Sequence, residues 1–206
     1  MKYIFSAILF IVISGSAFNQ KTRFTKDQFN QTNTAGDSKV LTDLEKEVVM
    51  NINLVRMYPK QFFYLYADSM AVLAEVEKTH PNFVSLKSTL IQDDKVEALV
   101  FNDNLYKMAK EMQDDIGPNG IVSHTDSKKR NFSKRAKLYG LESYCAENID
   151  YGRDGALEIV FSWLFDIDVE SLGHRTNLLN PEYKNVGIKF GTHKRYSYSC
   201  VLDLAT

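Results

Sequence analysis

The chain has 206 residues, 44% of them hydrophobic and 25% charged, with a formal net charge of -1 at pH 7. A length of this order suits one domain, with or without a tail, and is enough to bury a substantial core. The near-neutral balance gives no global reason to expect nucleic acid or an anionic membrane surface as partner, while 11 Tyr and 13 Phe point to a core rich in aromatic packing.

The first predicted element is a targeting signal. Lys2 supplies the positive start, "YIFSAILFIVIS" the apolar stretch, and "GSA" ending at Ala17 the small residues of a cleavage site. The apolar run is too short to span a bilayer comfortably, and no Cys follows it to carry a lipid. Residues 1–17 are therefore expected to be a signal peptide that sends the mature chain out of the cytoplasm, secreted or periplasmic, with no integral membrane segment left. Residues 18–40 are polar and short of aliphatic side chains, which predicts a disordered lead-in. The folded domain is placed at residues 41–206.

"LTDLEKEVVMNINLVR" predicts a helix opened by a capping box, with Thr42 as N-cap and Glu45 three residues on. Leu41, Leu44, Val48, Ile52 and Val55 give its apolar face, and Tyr58-Pro59 ends it. Residues 60–100 read as a helical insertion, in which "PNFVSLKSTLI" is a helix with Pro81 in its first turn. Leu105, Met108, Ala109, Met112 and Ile116 make one face of a further helix, stopped at Gly117-Pro118. "DSKKRNFSKRAKLYG" reads as a basic helix closed by Gly140, with a solvated face. "DGALEIVFSWLF" is apolar almost all round and is expected to be buried. "VGIKF" and "YSYSCVLDL" predict two terminal strands joined by a hairpin-like loop at "GTHKR". Helices followed by terminal strands imply an α+β layered fold rather than βαβ winding.

Four histidines are present. His80 precedes Pro81 and reads as a surface loop residue, and His193 falls in the expected exposed turn. His124 in "VSHTD" and His174 in "LGHRTN" lie at element boundaries among small and polar residues, where functional groups are commonly displayed. Imidazole is the commonest side-chain metal ligand, and two of them converging with a carboxylate make a partial zinc site. The carboxylate candidates are Glu147 in "CAENID" and the group Asp166, Asp168 and Glu170. Cys145 and Cys200 form an even pair in an exported chain and admit either a single disulfide or two buried thiols. Closing the loop between them would stabilise by about 4 kcal/mol in the chain-entropy model.

The order "SHTDSKKRNFSKRAKLYG", "AENI", a buried helix with Trp163, then "GHRTNLLNPEYKNVGIKFG" closely resembles the CAP superfamily of cysteine-rich secretory, antigen 5 and pathogenesis-related proteins, in its bacterial, SCP-like branch. The resemblance implies a three-layer α-β-α sandwich, here with an N-terminal helical extension or insertion. It also implies a cavity tetrad of two His and two acids that in several members holds zinc or another divalent cation. Position by position the tetrad is His124, Glu147 and His174, with Asp166 as first choice for the fourth corner and Asp168 or Glu170 behind it. Metal ligands are then His124 and His174, with Glu147 as an orienting group. The expected function is binding, outside the cytoplasm, of a small apolar, lipid-like ligand or of an extracellular protein or cell-surface component. No nucleic acid is expected as partner, the chain is expected to be a monomer, and no catalytic residue is assigned. Two alternatives stand beside it: a weak metal-dependent, peptidase-like hydrolase using Glu147, His124 and His174, and a purely structural interaction module.

Overall fold

A computed structural model of the chain describes residues 23–92, 94–141, 144–167 and 169–206. The expected signal peptide lies outside the described residues. Residues 18–22 of the expected disordered lead-in lie outside them too, but residues 23–40 carry structure: a helix α1 spans Lys26–Thr32, opened by a capping box between Thr25 and Gln28. Phe24, Thr32 and Ala35 are buried. The segment is tied down by the buried Asn53, whose side-chain amide donates to Thr32 O at 3.0 Å and to Thr34 Oγ1 at 2.9 Å. A polar sequence was a poor guide here because its partners are polar too.

Helix α2 runs Asp43–Met57 with the Thr42–Glu45 capping box formed on both sides. Pro59 then opens α3, Pro59–Leu73, and Pro81 opens α4, Pro81–Ile91. The short strand β1, Val100–Phe101, leads into α5, Asp103–Asn119. Pro118 sits inside the last turn of α5, and the stop is Gly120 in the left-handed conformation. Helix α6 is only Phe132–Leu138, shorter than the basic stretch suggested. It precedes strand β2, Cys145–Tyr151, the buried helix α7, Ala156–Phe165, and the short α8, Gly173–Leu179. Strands β3, Asn185–His193, and β4, Ser197–Ala205, close the chain.

The sheet has the order β1-β3-β4-β2, with β1 parallel to β3 and the other two pairs antiparallel. Alternation along β4 separates its faces. Cys200, Leu202 and Leu204 join the large core formed with α2, α3, α4 and α7, whereas Val201 and Ala205 pack with residues of α5 and α6 on the other side. This is the three-layer α-β-α arrangement expected of the α+β fold. Leu157, Glu158 and Ser162 alone in α7 escape full burial, as its uninterrupted apolar sequence requires.

The open choice at the cysteines is decided, and one expectation is corrected. Cys145 and Cys200 are free thiols. On the β2–β4 ladder Cys145 pairs with Ala205, while Cys200 pairs with Asp150, five residues further along β2. That offset is about 17 Å and an odd number of residues, so the thiols are far apart and on opposite faces. His193, expected in an exposed turn, ends β3 and is buried, because the hairpin turn falls one residue later at Lys194–Tyr196. Its Nε2 bonds Ile121 O at 3.0 Å, and its Nδ1 accepts from the Arg195 and Tyr196 amides.

Candidate functional site

Strand β2 is the outer edge of the sheet, and it carries polar residues on both faces. Glu147 points toward α6 and Asn148 and Asp150 toward α7 and α8, as their partners show. Two histidine–carboxylate pairs are built around this strand.

The first pair is His124 and Glu147. His124 lies in the loop after α5 with its side chain about half exposed (52%), and its Nδ1 meets Glu147 Oε1 at 2.8 Å. Behind it, Arg135 of α6 is completely buried and its Nη2 donates to both Glu147 oxygens at 2.8 Å. Arg135 Nε and Nη1 have no partner among the described residues. Directly across the ladder from Glu147 is Asp203, also fully buried, neither of whose oxygens accepts a bond from the described residues. Burial first, and the Glu147 carboxylate second, hold the Asp203 carboxyl well above the usual carboxylate range. Part of the basic stretch is therefore structural. Arg135 is buried under Glu147, and Arg130 is held by Glu111 and Asp126.

The second pair is His174 and Asp166. Asp166 caps α7 in the left-handed conformation (φ 53°), which Asp tolerates better than most residues. Its Oδ1 bonds His174 Nδ1 at 2.6 Å, and its Oδ2 accepts the backbone N–H of His174 at 2.9 Å. Leu172 at φ 49° makes the turn that delivers His174 to the start of α8; a left-handed Leu is costly and persists only where neighbouring contacts fix the backbone. Arg175 supplies those contacts: it is buried and donates to Leu164 O, Phe165 O, Asn82 O and Ser85 Oγ. The helical insertion is thus part of the site. Asn82 of α4 also donates to Asp166 O at 2.8 Å, and His80 is the N-cap of α4 rather than a free loop residue, its Nδ1 accepting from Asn82 N. Glu170 is exposed on the intervening turn, and Asp168 lies outside the described residues.

A cavity of about 800 Å³ lies at the free edge of β2, walled by Ile149, Asp150 and Tyr151, by the α7–α8 segment with Asp166 and His174, and by the α3–α4 turn from Ala74 to Pro81. His174 is on its wall. His124 is not, although Val122 lines the cavity and the Ser123 amide bonds the lining Tyr151 hydroxyl at 3.3 Å. The structure therefore places the first pair beside the rim and the second pair inside. Among the described residues no three His, Cys, Asp or Glu side chains stand together in a metal-holding group. The carboxylates are already engaged by Arg135 and by backbone amides, and each ring offers only its Nε2. Each histidine by itself matches the carboxylate-backed imidazole that metal sites use, and the described residues form no closed four-ligand site.

Matching against protein-family models assigns residues 51–204 to the cysteine-rich secretory protein family, CAP. The chain belongs to the CAP family. Its CAP domain is similar to an outer surface protein of Borrelia burgdorferi, at 21% identity over 62% of this chain and 94% of that one, with a TM-score of 0.47. It is also similar to an extracellular protein containing a SCP domain from Bacillus anthracis (19% identity, 68% of this chain, 44% of that one, TM-score 0.44). A cysteine-rich secretory protein of Staphylococcus aureus gives 18% identity over 64% of this chain and 40% of that one, with a TM-score of 0.38. The chain spans less than half the length of the Bacillus and Staphylococcus proteins. Comparison with curated proteins returned no match. No described helix of the CAP chain is long and apolar enough to cross a membrane.

Asp150, which sequence reasoning passed over, is the most perturbed acid on the cavity wall. Burial pushes its carboxyl up to about 6, against the opposing pull of Arg153 and Ser162. The native state then binds a proton more tightly than the unfolded chain, so the Asp150 contribution to stability is complete below the unfolded value of 3.8 and is lost as pH rises through about 6. Urea titrations should show wild type losing about 3 kcal/mol between pH 4 and pH 8 relative to Asp150→Asn. Parallel curves for the two proteins would contradict this account.

Proposed function

We propose that this CAP-domain protein acts outside the cytoplasm, after export on residues 1–17, by binding a ligand or a partner at the cavity beside β2, with capacity for a divalent cation such as zinc. The observation that carries this reading is the pair of histidine–carboxylate units on one sheet edge, one inside and one beside a cavity of a size typical for small-molecule sites. A cation would be held by the Nε2 atoms of His124 and His174, with Glu147 and Asp166 orienting the rings and waters completing the shell. Such an ion supplies a positive charge for an oxygen of the ligand. Binding is favoured over hydrolysis because the nucleophile candidates are poorly placed: burial raises the Cys145 thiol, and Ser162 Oγ is committed to Asp150 Oδ1 and Ile159 O.

The single tryptophan, Trp163, lines the cavity and serves as an internal reporter. Neutral Nile red is expected to bind with energy transfer from Trp163. Zinc alone, followed by equilibrium dialysis, is expected to bind at least tenfold more weakly after His174→Ala. Absence of energy transfer would overturn the ligand reading, and unchanged zinc uptake in a chain lacking both His124 and His174 would overturn the metal reading.

A further inference from the structure

Two residues that line the cavity each carry a buried polar atom, of opposite sense, with no partner among the described residues. Asp150 is 4% exposed, and its Oδ1 accepts from Arg153 Nη1 at 2.7 Å and Ser162 Oγ at 2.5 Å, whereas Oδ2 accepts from nothing. Trp163 is 1% exposed, and its Nε1–H donates to nothing. Both residues line the cavity. A buried acceptor or donor left unmade keeps its desolvation penalty uncompensated, the more so when charged, so each is a place where a ligand atom gains more than it would on an ordinary surface. The charged residues around them are unbalanced. Among the described residues, Glu75, Glu77, Asp150 and Asp166 line the cavity against a single Lys or Arg, Arg153. The remaining wall near Asp150 is aromatic, with Tyr151, Trp163 and Tyr196, which suits a cation carried on an apolar body.

We propose that the cavity selects an organic primary ammonium ion that also bears an oxygen, with the ammonium seated on the Asp150 carboxylate and the oxygen accepting from Trp163 Nε1. The assignment rests on the ligand-binding reading above and narrows it to one chemical class. Asp150 accepts the ammonium through the oxygen now unused; rotation about the terminal torsion of Asp, which is broad and two-fold, lets either oxygen take that part. Arg153 is the built-in competitor, since its guanidinium already lies on the same carboxylate while its side chain is 40% exposed.

The probes are 4-aminobutan-1-ol, butan-1-ol and butanoate, titrated into the intact mature chain and followed by NMR shifts at Trp163 and Tyr151. The amine is expected to bind at least tenfold more tightly than the alcohol or the acid. Asp150→Asn is expected to erase that preference, and Trp163→Phe to reduce affinity for the amino alcohol but not for butan-1-amine. Arg153→Met, a change at a half-exposed position, is expected to tighten the amine severalfold, which keeps the proposal testable should Asp150→Asn fold poorly. Alcohol or acid binding as well as the amine, or Arg153→Met weakening it, would overturn the ammonium assignment while leaving cavity binding intact. No probe perturbing Trp163, together with no Nile red transfer, would overturn both.

Discussion

Replacing Arg135 by Ala is expected to destabilise the protein by about 3–5 kcal/mol, the cost of stripping one partner from a buried ion pair. Arg135 is fully buried, donates to both oxygens of Glu147, and lies among acids that no other described cation reaches: Glu147 itself and, across the ladder, Asp203. Removing the guanidinium leaves the Glu147 carboxylate buried against a second carboxyl group. The chain's response is to protonate or to open the α6 side of the sheet, and either route releases His124 from its fixed orientation. The expected result in urea unfolding is a large drop in midpoint. The double change Arg135→Met with Glu147→Leu is expected to cost less than the single Arg135→Ala, because replacing both charges by apolar groups removes the desolvation penalty along with the attraction. A double variant as damaged as the sum of its parts would show that the pair contributes through something other than charge burial.

The same buried cluster shows where the sequence was legible and where it was not. Periodicity found α2, α5, α7 and the two terminal strands, because each presents an apolar face to a continuous core. It also placed Pro81 correctly at a helix start, since a missing N–H costs nothing there, whereas Pro59, read only as the end of α2, opens α3 for the same reason. Strand β2 carried no such signal. "CAENIDY" reads as polar, yet all of Ala146 to Asp150 is buried. Glu147, Asn148 and Asp150 spend their polar atoms on Arg135, on His174 O with Asn177, and on Arg153 with Ser162, so a pattern written in hydrophobicity cannot reveal it. The same reason hid α1, anchored by Asn53, and the burial of His193, held by Ile121 O and two amides. The four residues that the CAP resemblance named were found in two bonded pairs, but the arginines that set them, Arg135 and Arg175, were read from sequence only as a solvated helix charge and as a neighbour of His174. Motif spacing identifies the groups that meet a ligand; it is silent about the buried donors that aim them.

Gly187→Ala is expected to be the most disruptive single methyl in the sheet. Gly187 lies in β3 opposite Asp203, and a Cβ built there would stand 2.1 Å from both Leu105 C and Tyr106 N and 2.5 Å from Leu105 O. All three are backbone atoms in the first turn of α5, so no side-chain rotation makes room and the helix itself must lift. The contact continues along the same strand, where a Cβ at Gly191 would meet Gln113 Nε2 at 2.8 Å, and on the helix, where one at Gly117 would meet Thr192 O at 2.4 Å. Helix α5 therefore rests on β3 through glycines along its length, which explains why the "VGIKFG" stretch spends two of its six positions on residues of poor strand propensity. Lifting α5 also pulls on the loop that carries His124 at its C-terminal end. A loss of about 3 kcal/mol or more is expected, at or beyond the upper end of overpacking costs. For a domain of this size that lowers Tm by roughly 6–12 °C. Ile188→Val, one residue on and facing the opposite core, is the control and should cost only about 0.5–1.5 kcal/mol. A Gly187→Ala protein melting within a degree or two of wild type would mean that α5 sits further from β3 than the backbone contact requires, and the positioning of the His124 loop by that contact would fall with it.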